Sequence, residues 1–384
     1  MKRLIVVAAI TVLALAACSS SSKSSSSPTT APSSTSPSSP TSSSNTSGTV
    51  NMNIGNPSSS TTITEAGSSL LYPYLQLLVN PLHSAYSNVT LAPAAGGSGK
   101  GISDTIAGTV NVGGSDAYLS NSEFAANPGL MNVPIVISSQ AVNYNLPGVT
   151  SLKLTGNVIA EIYQGKITKW NDSAIAALNP GVTLPSTTIV PVRRVDGSGD
   201  TFIFTSFLSD TNSAWSSGPS FGTTVSWPAV SAEVTANGNP GMVQTCHATP
   251  GCIAYIGISA ESSALSAGLG EAELQNKAGN YVQPNMTTVD SAVNAGATNL
   301  PANLAAPLIY EPGAQSYPIV NFEYIIVKES QSSANLAMAI RTFLAYAISP
   351  SGGSAPAFLA KNQFEALPAS VVPLTEGAIA KITG

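Results

Sequence analysis

The feature of this sequence that most limits its fold is an alternation of short β-branched apolar runs with amphipathic stretches of helical period. The runs that predict strands are 61–65, 89–92, 110–113, 133–137, 189–193, 253–256 and 319–327. The stretches that predict helices are 70–86, 98–109, 158–164, 172–178, 201–208, 334–347 and 369–382. This alternation predicts an α/β fold built on mainly parallel sheets.

The amino terminus has the pattern of an export signal. Two basic residues precede an apolar run at 4–17, which ends at Cys18. The run is shorter than the ~20 residues that span a bilayer, so residues 1–17 predict a signal peptide. The letters LAAC at 15–18 resemble the lipobox of bacterial lipoproteins. We therefore expect a lipid, palmitate included, on Cys18 and an exported protein anchored to the outer face of the cell membrane.

The segment that follows predicts no packed structure. Residues 18–60 are rich in Ser, Thr and Pro and nearly free of large apolar side chains, so they cannot bury enough surface to offset the entropy of ordering. We interpret them as a flexible tether. The roughly 320 residues that remain predict two lobes at about 150 residues per domain.

Composition narrows the class of partner. Charged residues make up 9% of the chain, hydrophobic residues 43%, and the formal net charge is −5. A nucleic-acid partner would require clustered Lys and Arg, so none is expected. We also expect a monomer that needs no cofactor and no metal.

Two cysteines remain once Cys18 is assigned to lipid. Cys246 and Cys252 lie close together in an exported chain, which predicts a disulfide. His247 between them leaves a metal site as the alternative, but one His and two Cys lack the repeated spacing of zinc ligands.

Three Gly and Ser-rich turns each connect a predicted strand to a predicted helix. They read AGSSL at 66–70, GGSGKG at 96–101 and DGSGDT at 196–201. Free backbone N–H groups and the positive end of the helix dipole favour an oxyanion at such a place. The alternative is that they are helix caps and turns without a ligand.

Two further features favour the anion. Arg193 and Arg194 lead directly into the third turn, and a guanidinium can hold two oxyanion oxygens at once. Asp116 follows an apolar strand where a site that only attracts anions should exclude negative charge. Phosphate can donate its proton to that carboxylate, whereas sulfate has no proton to give at neutral pH. Asp116 as a mere turn residue remains the alternative.

Several long strings resemble, in family order, the phosphate-binding subunit of the bacterial phosphate-specific ABC importer, especially its actinobacterial lipoprotein branch. They are GSSLLYP at 67–73, GGSDAYLS at 113–120, VNYNLPGV at 142–149, IYQGKITKW at 162–170 and, most specific, RRVDGSGDT at 193–201. The resemblance runs along nearly the whole chain from about residue 61. It implies a protein that is not an enzyme, with inorganic phosphate and the importer's permease subunits as partners.

The resemblance also implies a type II periplasmic-binding-protein fold, in which two α/β lobes enclose the ligand in a cleft. Placing the double crossover near 138–143 and 317–322 assigns 61–140 and 318–384 to lobe I and 141–317 to lobe II. Carried over by position, the phosphate contacts are Ser69 (hydroxyl and amide), the amide of Leu70, Ser98, Asp116, Arg194, Ser198 and Gly199. Asp196 is expected to pair with Arg194 behind the ligand. The wider family often has a hydroxyl residue after Gly199, so Asp200 predicts a second carboxylate facing the anion.

The residues disfavour two enzymatic or nucleotide-binding functions. A secreted phosphatase would need a nucleophile and a base, but Ser115 lacks the second glycine of a nucleophile elbow, and His83 and His247 are the only histidines. GKG at 99–101 lacks the spacing of a nucleotide loop. Binding of another tetrahedral oxyanion and an adhesin-like surface role remain alternatives.

Overall fold

The described part of the chain, residues 51–384 of a computed structural model, alternates strands and helices over most of its length. Its strands are β1 (Thr61–Gly67), β2 (Val89–Ala92), β3 (Val112–Ser115), β4 (Leu130–Tyr144), β5 (Lys153–Leu154), β6 (Val190–Arg194), β7 (Val234–Ala236), β8 (Cys252–Gly257), β9 (Gly270–Glu271), β10 (Glu273–Gln275), β11 (Tyr281–Val282), β12 (Leu308–Ile309) and β13 (Ile319–Lys328). Every strand predicted from the pattern is present, with shifted ends.

Every predicted helix is also present. The α-helices are α1 (Tyr72–Ala85), α2 (Ser98–Ala107), α3 (Asn121–Ala126), α4 (Gly156–Tyr163), α5 (Ser173–Leu178), α6 (Gly199–Thr211), α7 (Ser213–Ser217), α8 (Gly238–Ala248), α9 (Glu261–Ser266), α10 (Met286–Gly296), α11 (Ala334–Ile348), α12 (Pro356–Leu359) and α13 (Val372–Ala380), and a 3₁₀ helix spans Ile258–Ala260. No helix within residues 51–384 has the length and apolarity to cross a bilayer.

The main sheet is mixed, so the α/β class is confirmed but the expectation of mainly parallel pairing is wrong at its centre. The strand order is β2-β1-β3-β13-β4-β8-β6-β7. Pairing is parallel at the two ends and antiparallel from β3 through β13 and β4 to β8. β4 and β13 are buried on both faces. Such strands read as continuous apolar runs whatever their direction, so composition could not reveal it.

Strand β4 belongs to both halves of the main sheet. Its residues up to Ser139 pair with β13, and its residues from Gln140 pair with β8. We call the part that contains β1, β2 and β3 the first half-sheet, and the part that contains β6, β7 and β8 the second half-sheet. The change of partner falls inside the crossover region predicted from the sequence. The lobe boundaries themselves stay a prediction.

The segment just before β1 corrects the predicted end of the tether. Arg341 Nε donates to the Asn53 carbonyl (3.1 Å), Thr342 Oγ1 accepts from the Gly55 amide (2.9 Å) and Asn335 Oδ1 accepts from the Ser58 amide (3.1 Å). These side chains of α11 satisfy backbone groups that water would otherwise bind, so residues 53–58 lie against the body of the protein. The signal peptide, Cys18 and the rest of the tether lie outside the described residues.

The glycine-rich turns lie at the facing ends of the two half-sheets, where β4 passes from one half-sheet to the other. β1 leads to α1, β2 to α2, β6 to α6 and β7 to α8, and Asp116 follows β3 directly. Strands within each half-sheet run parallel, so their carboxyl ends and the helix amino termini that follow meet at one edge of that half-sheet. The three antiparallel pairings between β3 and β8 reverse the strand direction, so these two edges face each other where β4 changes partner. Open α/β sheets bind ligands at this place.

Candidate functional site

The second and third glycine turns meet across the two half-sheets. The Gly99 amide donates to the Gly197 carbonyl at 2.9 Å. A Cβ atom added to Gly199 would lie 2.3 Å from both Asp116 Oδ2 and Ser98 Oγ. Only glycine at this position lets the first turn of α6 approach Asp116 and Ser98 so closely. The structure therefore brings together Ser98, Asp116, Ser198 and Gly199.

Arg194 is buried and forms a bidentate ion pair with Asp196. Its Nε donates to Asp196 Oδ1 at 2.7 Å and its Nη2 donates to Asp196 Oδ2. Burial raises the pKa of Asp196, but the hydrogen bonds and charge of Arg194 outweigh it and hold that pKa below its usual range. Burial works against the charge of Arg194, yet its two acidic neighbours raise its pKa overall. The guanidinium is therefore a fixed cation at the carboxyl end of β6.

Asp200 points into the same cluster from the first turn of α6. Its Oδ2 accepts from Arg194 Nη1 (2.7 Å) and from Asn239 Nδ2 (2.8 Å), and its Oδ1 accepts from Gln140 Nε2 (3.1 Å). Burial and the charge of Asp116 raise its pKa to about 7, against the opposing effect of Arg194. Asp200 thus does not face solvent as a helix-dipole residue would, and its predicted contact with an anion stays a prediction.

Asp116 is the carboxylate of the first half-sheet that faces α6. Its side chain is 1% exposed, and its amide donates to Ser98 Oγ at 3.0 Å. Burial raises its pKa, and the neighbouring Glu323 carboxyl, the hydroxyls of Ser68 and Ser98 and the charge of Arg194 oppose the rise. Its Oδ1 atom has no donor among the described residues. An unpaired buried acceptor of this kind suits a ligand or neighbour that donates a proton.

The first glycine turn approaches the cluster through Asn239. Ser69 Oγ accepts from the Asn239 amide (3.1 Å), and both residues line a cavity of about 310 Å³. The Leu70 amide, predicted to face the anion, here donates to Ser68 Oγ (3.0 Å). Contact of Leu70 with phosphate would require that bond to be exchanged.

Sequence reasoning missed Asn239, Gln140, Glu323 and Ser68, which all lie in or under the cluster. A signal for Asn239 was present, because the letters ANGNPG at 236–241 form a fourth glycine turn between β7 and α8. Gln140 and Glu323 lie within long buried strands, and nothing in their local sequence separates them from their apolar neighbours.

The predicted disulfide is present away from the cluster. Cys246 in α8 and Cys252 at the start of β8 are bonded, with their Cα atoms 5.3 Å apart. The bond fixes the connection between this helix and strand. Within residues 51–384 no group of His, Cys, Asp or Glu side chains is arranged to hold a metal.

A larger cavity of about 620 Å³ lies between α10 and the region around α12. Apolar side chains and the acids Asp290 and Glu365 line it, and its walls contain no Lys, Arg or His. It therefore does not suit an anion, and the cluster around Arg194 remains the candidate site.

Comparison with known proteins is consistent with this geometry. Residues 34–351 match the family model described as a PBP superfamily domain. The chain is 30% identical over 345 residues to the phosphate-binding protein PstS of Methanocaldococcus jannaschii, covering 84% of this chain and 87% of that protein. It is 35% identical over 296 residues to the phosphate-binding protein PstS3 of Mycobacterium bovis, covering 74% and 77%.

Solved structures show the same fold. A high-affinity periplasmic phosphate-binding protein bound with phosphate (PfluDING) superposes with a TM-score of 0.65 at 22% identity, over 83% of this chain and 93% of that chain. A phosphate-binding protein from Stenotrophomonas maltophilia gives 0.62 at 20% identity, over the same shares. The extent of these matches shows that the chain belongs to the PBP superfamily and, within it, to the family of PstS phosphate-binding proteins.

Proposed function

We propose that this protein binds inorganic phosphate outside the cell and delivers it to the permease subunits of an ABC importer. The observation that carries the proposal is that buried Asp116 directs its Oδ2 towards Gly199 at the start of α6 and towards Ser98, in a cluster that also contains the Arg194 cation. Donors hold the charged oxygens of a tetrahedral anion, and the carboxylate accepts its proton. The PstS relatives are named for this ligand.

The donors come from elements that the fold holds in place. Ser198 caps α6 by accepting from the Thr201 amide, which leaves its hydroxyl hydrogen available. Gly199 begins that helix, where the first amides have no partner within the helix and the dipole favours negative charge. Ser98 is likewise the first residue of a helix, α2, which follows β2 of the first half-sheet. Phosphate would thus join the two half-sheets through donors from both.

Export and anchoring complete the proposed role. A signal peptide at 1–17 and a lipid on Cys18 would hold the binding unit outside the membrane by a tether that ends before residue 53. We expect a monomer, since one chain supplies the whole cluster. Labelling with a palmitate analogue, lost in Cys18→Ala, tests the anchor, and light scattering of the purified protein tests the oligomeric state.

A secreted phosphatase is the competing function, and the histidines disfavour it. His83 Nδ1 contacts the Val89 carbonyl at 2.9 Å near the end of α1, and His247 lies in the last turn of α8. Neither histidine hydrogen bonds with a serine of the cluster. We expect no release of product from a chromogenic phosphate ester.

Titration calorimetry of ligand-stripped protein with phosphate, arsenate and sulfate tests the proposal. We expect one phosphate per chain, competition by arsenate, which has similar protonation, and no competition by sulfate. Absence of phosphate binding to folded protein would refute the function. Displacement by sulfate at comparable concentration would refute the role of Asp116 as a filter.

A further inference from the structure

A third carboxyl group, Glu323, lies directly beneath Asp116. In the antiparallel pair of β3 and β13, Ser115 is opposite Tyr324, so continuing the register by one residue places Asp116 opposite Glu323. Asn321 on the same strand supports this arrangement by donating from Nδ2 to the Asp116 carbonyl at 2.5 Å. The register of β13 with β4 also shifts between Glu323 and Tyr324. Bulges of this kind often redirect side chains next to functional sites.

The two carboxyl groups have complementary unpaired atoms. Glu323 is fully buried, and its Oε1 accepts from Ser138 Oγ at 2.6 Å. Its Oε2 and Asp116 Oδ1 are both buried without a donor among the described residues. Two ionised carboxylates in contact without solvent would repel strongly, whereas one shared proton would satisfy both free oxygens.

The surroundings decide which carboxyl group holds that proton. Arg194 and the hydroxyls of Ser68 and Ser98 stabilise the ionised form of Asp116. The charged groups that act on Glu323 are Asp116 and Asp200, and both disfavour its ionised form. The hydrogen bond from Ser138 is the one contact that favours that ionised form. Burial, followed by the charge of Asp116, raises the pKa of Glu323 well above its usual range. Two further titratable groups lie nearby, Tyr324 next to Glu323 on β13 and Asp196 paired with Arg194. Neither adds a positive charge that would favour ionised Glu323.

We propose that Glu323 is a protonated positioning residue that donates its O–H to Asp116 Oδ1 and thereby keeps Asp116 an anionic acceptor. This inference rests on the proposed phosphate function. The remaining Asp116 oxygen, Oδ2, faces Gly199 and Ser98, where the ligand's proton would be accepted. Glu323 therefore acts on the choice of anion through Asp116, without touching the anion.

The proposal has a consequence for specificity. Without the donor from Glu323, burial would dominate and Asp116 would take up a proton itself. A protonated Asp116 has an O–H that can donate to a sulfate oxygen. The same protonation removes an acceptor for the proton of phosphate. Loss of the Glu323 donor should thus weaken phosphate binding and admit sulfate.

Two substitutions and a control separate this role from a structural one. Glu323→Gln keeps the shape and a donor without a titrating proton, and Glu323→Leu removes the donor. Ser138→Ala removes the partner on the far side of Glu323 and leaves the contact with Asp116 intact. Calorimetry at pH 7 gives phosphate and sulfate affinities for the wild type and each variant, and circular dichroism verifies folding.

We expect Glu323→Gln and Ser138→Ala to stay within ~3-fold of the wild type, and the phosphate-to-sulfate preference of Glu323→Leu to fall by at least ~10-fold, a difference of about 1.4 kcal/mol. A Glu323→Gln variant that is folded but as impaired as Glu323→Leu would overturn the proposal, as would a Glu323→Leu variant with wild-type selectivity. Failure of the wild type to bind phosphate would instead refute the proposed function.

Infrared spectroscopy supplies a readout that needs no ligand and no Leu variant. The ligand-free wild type should show, at pH 7, a protonated-carboxyl band that shifts in deuterated water, and Glu323→Gln should lose this band. Spectra that do not differ between the two proteins would overturn the assignment of the proton to Glu323, even if Glu323→Leu failed to fold.

Discussion

Replacement of Arg194 with Ala tests the charge of the site most directly. A guanidinium has five N–H donors. Three of them bind Asp196 and Asp200 through Nε, Nη2 and Nη1, so two remain for an anion. The change removes those two donors and the cation together, while the amides and hydroxyls of the α2 and α6 turns stay in place.

The expected loss follows from those two donors. Charge-assisted hydrogen bonds contribute about 1.5–3 kcal/mol each, and protonation of an acidic neighbour would offset part of their loss. A net loss of about 2–5 kcal/mol is therefore expected, which corresponds to phosphate binding weakened from ~30-fold to several thousand-fold. The measurement is calorimetric titration of ligand-stripped protein, or competition where binding becomes too weak.

Arg193→Ala is the matched control for this experiment. Arg193 precedes Arg194 on β6 but pairs with Glu233 at 2.7 Å and lies over the Trp227 ring at 5.7 Å. We expect its replacement to leave phosphate affinity within ~3-fold of the wild type, since a contact distant from the ligand adds little to binding. Folded Arg194→Ala with unchanged affinity would refute the reasoning, and a loss confined to Arg193→Ala would move the role to Arg193.

Loss of stability must be separated from loss of binding. Breaking a buried ion pair costs about 3–5 kcal/mol, because a charge is left buried without its partner. Asp200, whose pKa is already about 7 beside Arg194, would titrate higher without it. Arg194→Ala should therefore be more stable at pH 6 than at pH 8, and the affinity is best compared at the lower pH.

Three further predictions use other parts of the structure. If Asp200 and Asp116 both face the anion, wild-type phosphate affinity should rise as pH falls from 8 to 6, and Asp200→Thr should flatten this profile; a flat wild-type profile would contradict the two-carboxylate hypothesis. Burial raises the pKa of Asp200 from 3.8 to about 7, so its contribution to stability is present at low pH and lost as pH rises through 7. Calorimetry should therefore show the melting temperature of ligand-free protein falling between pH 5 and 8, and a rise would contradict the pKa. Replacing Cys246 and Cys252 with Ser should lower the free energy of unfolding by about 2 kcal/mol for so short a loop and leave phosphate affinity unchanged, whereas weaker binding would couple the disulfide to the site.

The strands, helices and glycine turns could be predicted because their signals are local. The turn before α6 shows a strand, an acidic residue, glycines and a capping Ser198 within a few positions, and each has a local physical meaning. Hydrophobic period identified β13 as a strand but not its direction. The direction depends on which distant strand it pairs with, and an apolar run is compatible with either.

The partners of the site residues could not be predicted, because they come from distant strands and helices. Asp200 is bound by Gln140 from β4 and Asn239 from α8. Glu323 lies 207 positions after Asp116 in the chain and reaches it only because β13 pairs with β3. The resemblance to the family implied which residues contact the ligand. It gave no information on the residues that support those contacts, such as Gln140, Asn239 and Glu323.

The arrangement of charge explains how a net acidic protein can select an anion. Asp196 and Asp200 pair with one buried guanidinium, and Asp116 lies close to it, so the cluster has more acidic groups than cations. A site that relied on positive charge would accept sulfate and phosphate alike, because both are tetrahedral and anionic. In the proposed site most of the attraction comes from neutral hydroxyls, amides and the α6 dipole, while the ionised Asp116 requires a proton from the anion that binds. Phosphate and arsenate can meet that demand, and sulfate cannot.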